Sequence, residues 1–215
     1  MSQPTDLSNL AELGIASGTA WINKYPTYIV DFITSAEYLA LHETMRADIQ
    51  EQKQTEALRR AATAELKAVN AKINAQLRNL KDYIVDEYGK ENVYVHYPAY
   101  GIILSIKGYT LPVDNDTRAR SLDLIVAELS KPGHPLANKK YGLAFWTAQR
   151  DTQRATWASI KSIDGKRSIL SGRLTIARNK AKELQSRLRM HIRATFGDNQ
   201  RSVLRDFGFQ AEKYK

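Results

Sequence analysis

A pattern of seven positions occurs twice in the chain, in residues 66–89 and again 108 positions later in residues 174–197. In each copy the positions are three or four residues apart, which places them on one face of a helix. Each copy ends at a glycine, Gly89 or Gly197, the residue that favours the left-handed end of a helix. The pairs are Leu66/Leu174, Val69/Ala177, Ile73/Ala181, Gln76/Leu184, Leu80/Leu188, Ile84/Ile192 and Tyr88/Phe196. The pattern therefore predicts two amphipathic helices of similar design.

An aromatic–glycine pair follows each copy, Tyr100-Gly101 in the first and Phe207-Gly208 in the second, with the offset now 107. Five of the 24 aligned positions are identical. One interpretation is an internal duplication, and the alternative is that any two amphipathic helices ending in glycine align this well. A duplication predicts that Leu80 and Leu188 are equally buried and face a common core.

Residues 35–88 contain neither glycine nor proline. Thr34 and Glu37 form a capping box, which predicts a helix that begins there. The middle of the stretch, residues 48–56, is polar apart from Ile49, which favours an exposed turn between two antiparallel helices. One continuous helix is the alternative.

A further long helical stretch is predicted from residue 138 onward, and Asp164-Gly165 is a typical turn signal within it. The sequence thus predicts two helical hairpins, 34–89 and 138–197, packed as a bundle. Straight helices that pass through both turn positions, 48–56 and 164–166, are the alternative here too.

The N-terminal segment, residues 1–33, is predicted to be an arm that is loosely ordered over residues 1–20. Its aromatic residues are expected to dock on the bundle, because such side chains mostly supply buried area. They are Trp21, Tyr25, Tyr28 and Phe32. Residues 198–215 are predicted to be a docking tail that is frayed from residue 210.

Residues 90–137 have the mixed character of a connector. Alternation over residues 93–97 predicts a strand, with residues 102–106 as its partner in a short β-hairpin. Asp114 to Thr117 predicts the start of a short helix that ends before Pro132. The predicted fold class is mainly α: an antiparallel bundle of long, coiled-coil-like helices with this small mixed connector.

Charge is distributed unevenly along the 215 residues. Residues 1–100 carry 10 basic and 13 acidic side chains, whereas residues 101–215 carry 22 and 10. The basic part suggests an anionic partner, or an acidic surface on another copy of the chain. The chain has no cysteine, which excludes disulfides and thiolate metal sites. Without a signal pattern or a long apolar run, a cytoplasmic protein that does not enter the membrane is expected.

No catalytic motif stands out. The four histidines lie in four separate segments without the spacing of metal ligands, so solvated or capping roles are expected. They are His42, His96, His134 and His191. Asp114-Asn115-Asp116 lacks the remaining residues of a calcium loop, and Asp86-Glu87 has the character of a helix-terminal surface pair. We therefore expect a non-enzymatic protein with no metal, no cofactor and no small-molecule substrate.

Four basic residues form the one candidate binding feature, which we call the basic stripe: Arg178, Lys182, Arg189 and Arg193. On a helical wheel they lie along one flank of the apolar face, so they could follow a phosphate backbone. The alternative is that they border a buried seam with their aliphatic stems on apolar surface.

Two functions follow as hypotheses. The favoured one is a helical scaffold or assembly protein that binds another protein or itself, through its acidic and basic halves. The alternative is sequence-nonspecific nucleic-acid binding through the basic stripe.

Overall fold

Two helices of 54 residues each form the framework of the structure: α2 (Ser35–Tyr88) and α5 (Leu143–Phe196). The computed structural model describes residues 6–106 and 108–209. Later positions of α2 contact earlier positions of α5, as in the Asp48–Arg173 and Arg59–Asp164 ion pairs, so the two helices run antiparallel. The predicted fold class, mainly α with a small β-hairpin, is confirmed.

The other elements are short. They are α1 (Leu7–Lys24), α3 (Val93–His96), a 3-10 turn (Tyr97–Tyr100), β1 (Ile103–Ser105), β2 (Gly108–Thr110), α4 (Asn115–Leu129), a second 3-10 turn (Gly197–Asn199) and α6 (Gln200–Asp206). The two strands pair antiparallel, with Leu104 opposite Tyr109.

The turns favoured at residues 48–56 and 164–166 do not occur, and the alternative of continuous helices is correct. Asp48 and Thr55 are buried, and Asp48 pairs with Arg173 of α5. The polar segment of α2 is therefore a contact surface and not an exposed loop. Gly165 continues α5, because a single glycine costs a helix only about 1 kcal/mol relative to alanine.

The strand predicted over residues 93–97 is wrong, because this segment forms α3 and the start of a 3-10 turn. Its buried residues, Val93, Tyr97 and Tyr100, are four and three positions apart, which is a helical and not an alternating period. The expected hairpin exists further along, where β1 pairs with β2.

The loosely ordered arm predicted over residues 1–20 is also wrong wherever the structure describes it, because α1 begins at Leu7. The Asp6 carboxylate accepts a hydrogen bond from the Asn9 amide and caps the helix. Gly14 and Gly18, which resemble loop residues in the sequence, allow close packing on α2. Residues 1–5 and the tail segment predicted to fray, 210–215, lie outside the described residues.

The expected helix start at Asp114 is confirmed, since its carboxylate accepts from the Thr117 amide at 2.9 Å. The capping box is also confirmed: the Thr34 hydroxyl accepts from the Glu37 amide, and the Glu37 carboxylate accepts from the Thr34 amide.

The chain divides into two compact units. Unit 1 consists of residues 1–57 and 165–215, and unit 2 consists of residues 58–164. Unit 1 thus combines α1 and the first part of α2 with the second part of α5 and α6. Unit 2 combines the rest of α2 with α3, the hairpin, α4 and the first part of α5. These units are not the two sequential hairpins that the sequence suggested.

The internal repeat extends well beyond the residues that suggested it. The capping residues Asp6 and Asp114 are 108 positions apart, as are the starts of α2 and α5. Two ion pairs also correspond under this offset: Arg59 with Asp164 at 2.6 Å and Arg167 with Glu56 at 4.0 Å. Each unit therefore joins the beginning of one repeat to the end of the other.

The aromatic–glycine pairs have the same structure in both units. Gly101 and Gly208 have left-handed φ angles of 65° and 74°. The Ile102 amide donates to the Tyr97 carbonyl at 3.0 Å, and 107 positions later Phe209 donates to Leu204 at 2.8 Å. The similarity of the two pairs in sequence is therefore accompanied by a similar backbone structure.

Each unit has its own core. Unit 1 buries the aromatic segment and the tail, as expected, in one cluster: Trp21, Val30, Tyr38, Leu184, Leu188, Ile192, Val203, Leu204, Phe207 and Phe209. The main cluster of unit 2 includes Leu80, Ile84, Tyr100, Leu122 and Trp146. Leu80 and Leu188 are equally buried, but the expectation of a common core is wrong.

Candidate functional site

The basic stripe is only partly available to a partner. The Arg189 guanidinium lies 4.9 Å from the centre of the Phe209 ring, and desolvation by burial lowers its pKa. Arg178 and Lys182 are half-buried and have contacts of their own within the chain. Only Arg193 is exposed. Three of the four side chains are thus half-buried, and Arg189 packs against the Phe209 ring.

Four further exposed cations of α5 follow one another at intervals of seven residues, on the opposite side of its apolar face. We call them the outer flank: Lys166, Arg173, Lys180 and Arg187. Two of them already contact acidic groups, since Arg173 pairs with Asp48 and Arg187 lies 3.7 Å from Glu183.

The uneven charge along the chain is largely matched inside unit 1. Residues 6–57 carry three basic and eight acidic side chains, and residues 165–209 carry eleven and three. These two segments form the same unit, and ion pairs such as Lys24–Asp206 and Arg167–Glu56 connect them. The charge asymmetry of the sequence therefore does not give oppositely charged units.

Unit 2 contains a cavity of about 630 Å³ between α2, the hairpin and the start of α4. Its apolar wall consists of Leu77, Ile106, Tyr109, Leu111 and Val113, and its polar lining consists of Asn74, Arg78, Lys81, Ser105, Thr110 and Arg118. Three of the lining side chains are cationic and, as far as the described residues go, none is acidic. The cavity combines an apolar body with a positively charged side.

Arg118 is the most constrained of these cations. Its side chain belongs to a residue that is only 4% exposed, and burial lowers its pKa. Its Nε donates to the Pro112 carbonyl at 2.8 Å and its Nη1 donates to Asn74 Oδ1 at 3.0 Å. Both acceptors are neutral, so the guanidinium is held in place without an acidic partner in the described part of the chain. Arginine nevertheless stays protonated, because its ordinary pKa lies far above neutral pH.

The other two cations lie on α2, where Arg78 is exposed and Lys81 is half-buried. The Lys81 ammonium donates to the Tyr109 carbonyl of β2 at 3.1 Å. The spacing of three residues places both on one side of the helix. Together with Arg118 they concentrate positive potential at the cavity.

The hairpin beside the cavity exposes several aliphatic side chains. Ile103 and Leu104 are 46% and 69% exposed, although adjacent strand residues point to opposite faces. Ile106 is fully exposed and Val113 is 86% exposed. Ile103 and Leu104 therefore leave exposed apolar surface on both faces of β1.

Each histidine contacts a tyrosine ring. The ring centres of His42 and Tyr38 are 4.5 Å apart, and the His96 ring stacks on the Tyr88 ring with centres 3.7 Å apart. The other pairs are His134 with Tyr100, where Nε2 and the hydroxyl are 3.0 Å apart, and His191 with Tyr28, where Nδ1 and the hydroxyl are 2.7 Å apart. His42 is fully buried, which corrects the expectation that all four are solvated or capping residues.

No cluster of three potential metal ligands occurs among residues 6–106 and 108–209. Asp86 and Glu87 are exposed, as expected.

The cavity was not predicted from the sequence, although one residue of α4 pointed to it. The apolar face of α4 is marked by Leu122, Ile125 and Leu129, and Arg118 lies one turn before Leu122 on that face. A cation on the core side of a short helix is unusual, because charged residues are rarely fully buried without a partner.

Comparison with protein-family models, with curated proteins and with solved structures finds no match. Within its described residues, the chain has no helix with the length and apolar character of a membrane span.

Proposed function

We propose that this protein is a non-enzymatic helical assembly protein that self-associates through the β-hairpin of unit 2. The observation that carries the proposal is the exposure of Ile103 and Leu104 on opposite faces of β1. Exposed aliphatic side chains in one short segment are a feature of protein-interaction surfaces.

A second copy of the chain is the simplest partner, because the hairpin alone can supply both sides of the contact. The hairpin has two strands only, so each strand has an edge that is unpaired within the described sheet. Edge strands readily pair with another chain. In a symmetric dimer the same patch on both copies supplies both halves of the contact.

The acidic and basic segments offer a second route to self-association, and salt distinguishes the two. Contacts between opposite charges weaken as salt screens them, whereas apolar contacts do not. Because three ion pairs already connect these segments inside unit 1, we favour the hairpin as the contact.

Sedimentation velocity at about 50 mM and about 500 mM salt tests the proposal. We expect the wild type to be larger than a monomer at both concentrations and an Ile103→Asp/Leu104→Asp variant to be monomeric. Ile176→Asp is the matched control, because Ile176 is an exposed isoleucine of α5 in unit 1. A monomeric wild type at high protein concentration would refute self-association. Association that disappears at high salt, and that the hairpin variant retains, would refute the hairpin as the contact.

Nucleic-acid binding is a second candidate, supported by the exposed cations of α5. Two double variants test which cations bind nucleic acid. Lys166→Gln/Lys180→Gln alters the outer flank, and Lys182→Gln/Arg193→Gln alters the basic stripe. Fluorescence anisotropy with a random duplex should show tighter binding at low salt, and each lost phosphate contact should reduce the salt slope by about 0.9. Equal binding by both variants and the wild type would exclude these surfaces.

A further inference from the structure

The buried position of Arg118 is a core position in the repeated plan of the chain. The residue 108 positions earlier is Leu10, which is 1% exposed in the core of unit 1. Both residues lie one turn into a helix that an aspartate caps, Asp6 or Asp114. The fold thus accommodates a leucine at this position, so a cation is not required for packing.

The electrostatics of the cavity favour an anion. Removing a charge from water is costly unless an opposite charge or strong hydrogen bonds replace the solvent. Arg118 has two neutral acceptors, and the cations beside it, Arg78 and Lys81, add to the positive potential. An anionic group in the cavity would offset this unbalanced charge.

The remaining wall of the cavity is apolar. Leu77, Leu111 and Tyr109 form its inner side, and Ile106 and Val113 border it from the exposed segments around the hairpin. The volume of about 630 Å³ lies within the range of small-molecule sites, which are mostly apolar with a few polar groups that fix orientation.

We propose that this cavity binds a small amphipathic anion, with an oxyanion head at Arg118, Arg78 and Lys81 and an apolar body against Leu77, Leu111 and Tyr109. The planar guanidinium suits both carboxylate and phosphate heads, because each can accept two parallel hydrogen bonds. Ligands with either head share the same chemistry, a delocalised negative charge attached to an aliphatic or aromatic body. This inference is independent of the assembly function proposed above.

Three probes with the same chain length separate the contributions of head and body: octanoate, octyl phosphate and octanol. Binding to the full chain is measured by isothermal titration calorimetry and by NMR shifts of the Leu77 and Leu111 methyl groups. We expect octanoate or octyl phosphate to bind and to shift these methyls, and octanol to bind at least about tenfold more weakly, a factor that corresponds to about 1.4 kcal/mol.

Two sets of variants test the assignment of the residues. Arg118→Leu introduces the residue found at the corresponding position of the other repeat, and Arg78→Gln/Lys81→Gln removes the two cations of α2. Each should weaken binding of the anionic probe at least about tenfold. Lys67→Gln is the matched control, because Lys67 is an exposed cation of α2 in unit 2 outside the cavity lining. If Arg118→Leu fails to fold, the Arg78→Gln/Lys81→Gln variant decides the question.

Several outcomes would overturn the proposal. Equal binding of octanol and octanoate would show that the charge has no role. Unchanged binding in both cavity variants would place any site elsewhere. If inorganic phosphate bound as tightly as octyl phosphate, the apolar body would have no part in recognition. Because Ile103 and Leu104 do not line the cavity, the Ile103→Asp/Leu104→Asp variant should bind the probe normally even where self-association is lost.

Discussion

Leu80 of α2 and Leu188 of α5 are 108 positions apart and are both fully buried, each in the core of a different unit. Each precedes a buried isoleucine, Ile84 or Ile192, by one helical turn. The repeat thus builds two cores with the same helical design, and a substitution in one copy can be compared directly with its counterpart.

Leu80→Ala and Leu188→Ala should each reduce the free energy of unfolding by about 2–5 kcal/mol, because each removes buried methyl groups and leaves a cavity. Leu58→Ala is the control, since Leu58 is largely exposed on α2 and should change stability by less than about 0.5 kcal/mol. Denaturant unfolding measures the loss of stability, and hydrogen exchange shows in which of the two units it occurs. A large loss for one core leucine with almost none for the other would contradict their equivalence.

Gly101→Ala should destabilise the protein more than Gly89→Ala. Both glycines have left-handed φ angles, 65° and 77°, so each substitution carries a backbone strain of about 1–2 kcal/mol. At Gly101 a new Cβ would lie 2.7 Å from the Cα and carbonyl oxygen of Ser121, whereas at Gly89 it would meet nothing within 4 Å. The overlap with backbone atoms should add about 1–3 kcal/mol. Thermal melts of the two variants measure the difference, and equal losses would show that the contact with α4 is unimportant.

Arg189→Ala should destabilise the protein more than Arg193→Ala, because Arg189 is the more buried of the two. The Arg189 side chain packs over Phe209, so its removal should cost about 1 kcal/mol through lost packing and lost cation–π attraction. Arg193 is exposed, and its substitution should stay within about 0.5 kcal/mol. Urea unfolding of both variants is the measurement. The prediction fails if Arg193→Ala is the more damaging of the two.

Stability should fall as the pH is lowered through about 6.5, the pKa of histidine in an unfolded chain. Burial of His42 lowers its pKa in the folded state, so below this pH the unfolded chain binds a proton that the folded chain does not. The slope from one such group is at most about 1.4 kcal/mol per pH unit. His134, whose pKa burial also lowers, contributes from unit 2.

The test compares the unfolding free energy of the wild type and of His42→Gln between about pH 7.5 and about pH 5.5, on either side of the histidine range. The variant should show a smaller slope. Glu37, Asp114, Asp116 and Asp206 do not interfere, because hydrogen bonds lower their pKa values and their effect on stability appears only below about pH 5. An unchanged slope would show that His42 is not the titrating group.

Sequence reasoning identified the elements whose signals are local. Thr34 and Asp114 cap their helices as expected, because a capping side chain bonds to an amide only three residues away. Gly89 and Gly197 end the long helices with positive φ angles for a similarly local reason. The β-hairpin was expected too early in the chain, since a helical spacing of buried residues at Val93 and Tyr97 was interpreted as alternation.

The candidate site depends on contacts between distant positions, and most of it was therefore not predictable. Arg118 meets Asn74 across 44 positions, and Lys81 meets the carbonyl of Tyr109 across 28. The sequence displayed Arg118 on the apolar face of α4, but only the packing of the hairpin and α2 around it forms a cavity. The basic stripe was visible on a helical wheel, whereas the burial of its Arg189 depends on Phe209 of the tail.

The sequence by itself determined the helical class, the caps, the glycine ends and the apolar face that both long helices repeat, because each follows from interactions within a few residues. Only the tertiary structure decided that α2 and α5 are continuous, that α1 is a helix and that each unit joins parts of both repeats. The physical reason is that a polar or glycine-containing segment has no fixed local preference. Asp48 remains helical and buried because Arg173, 125 positions away, lies opposite it.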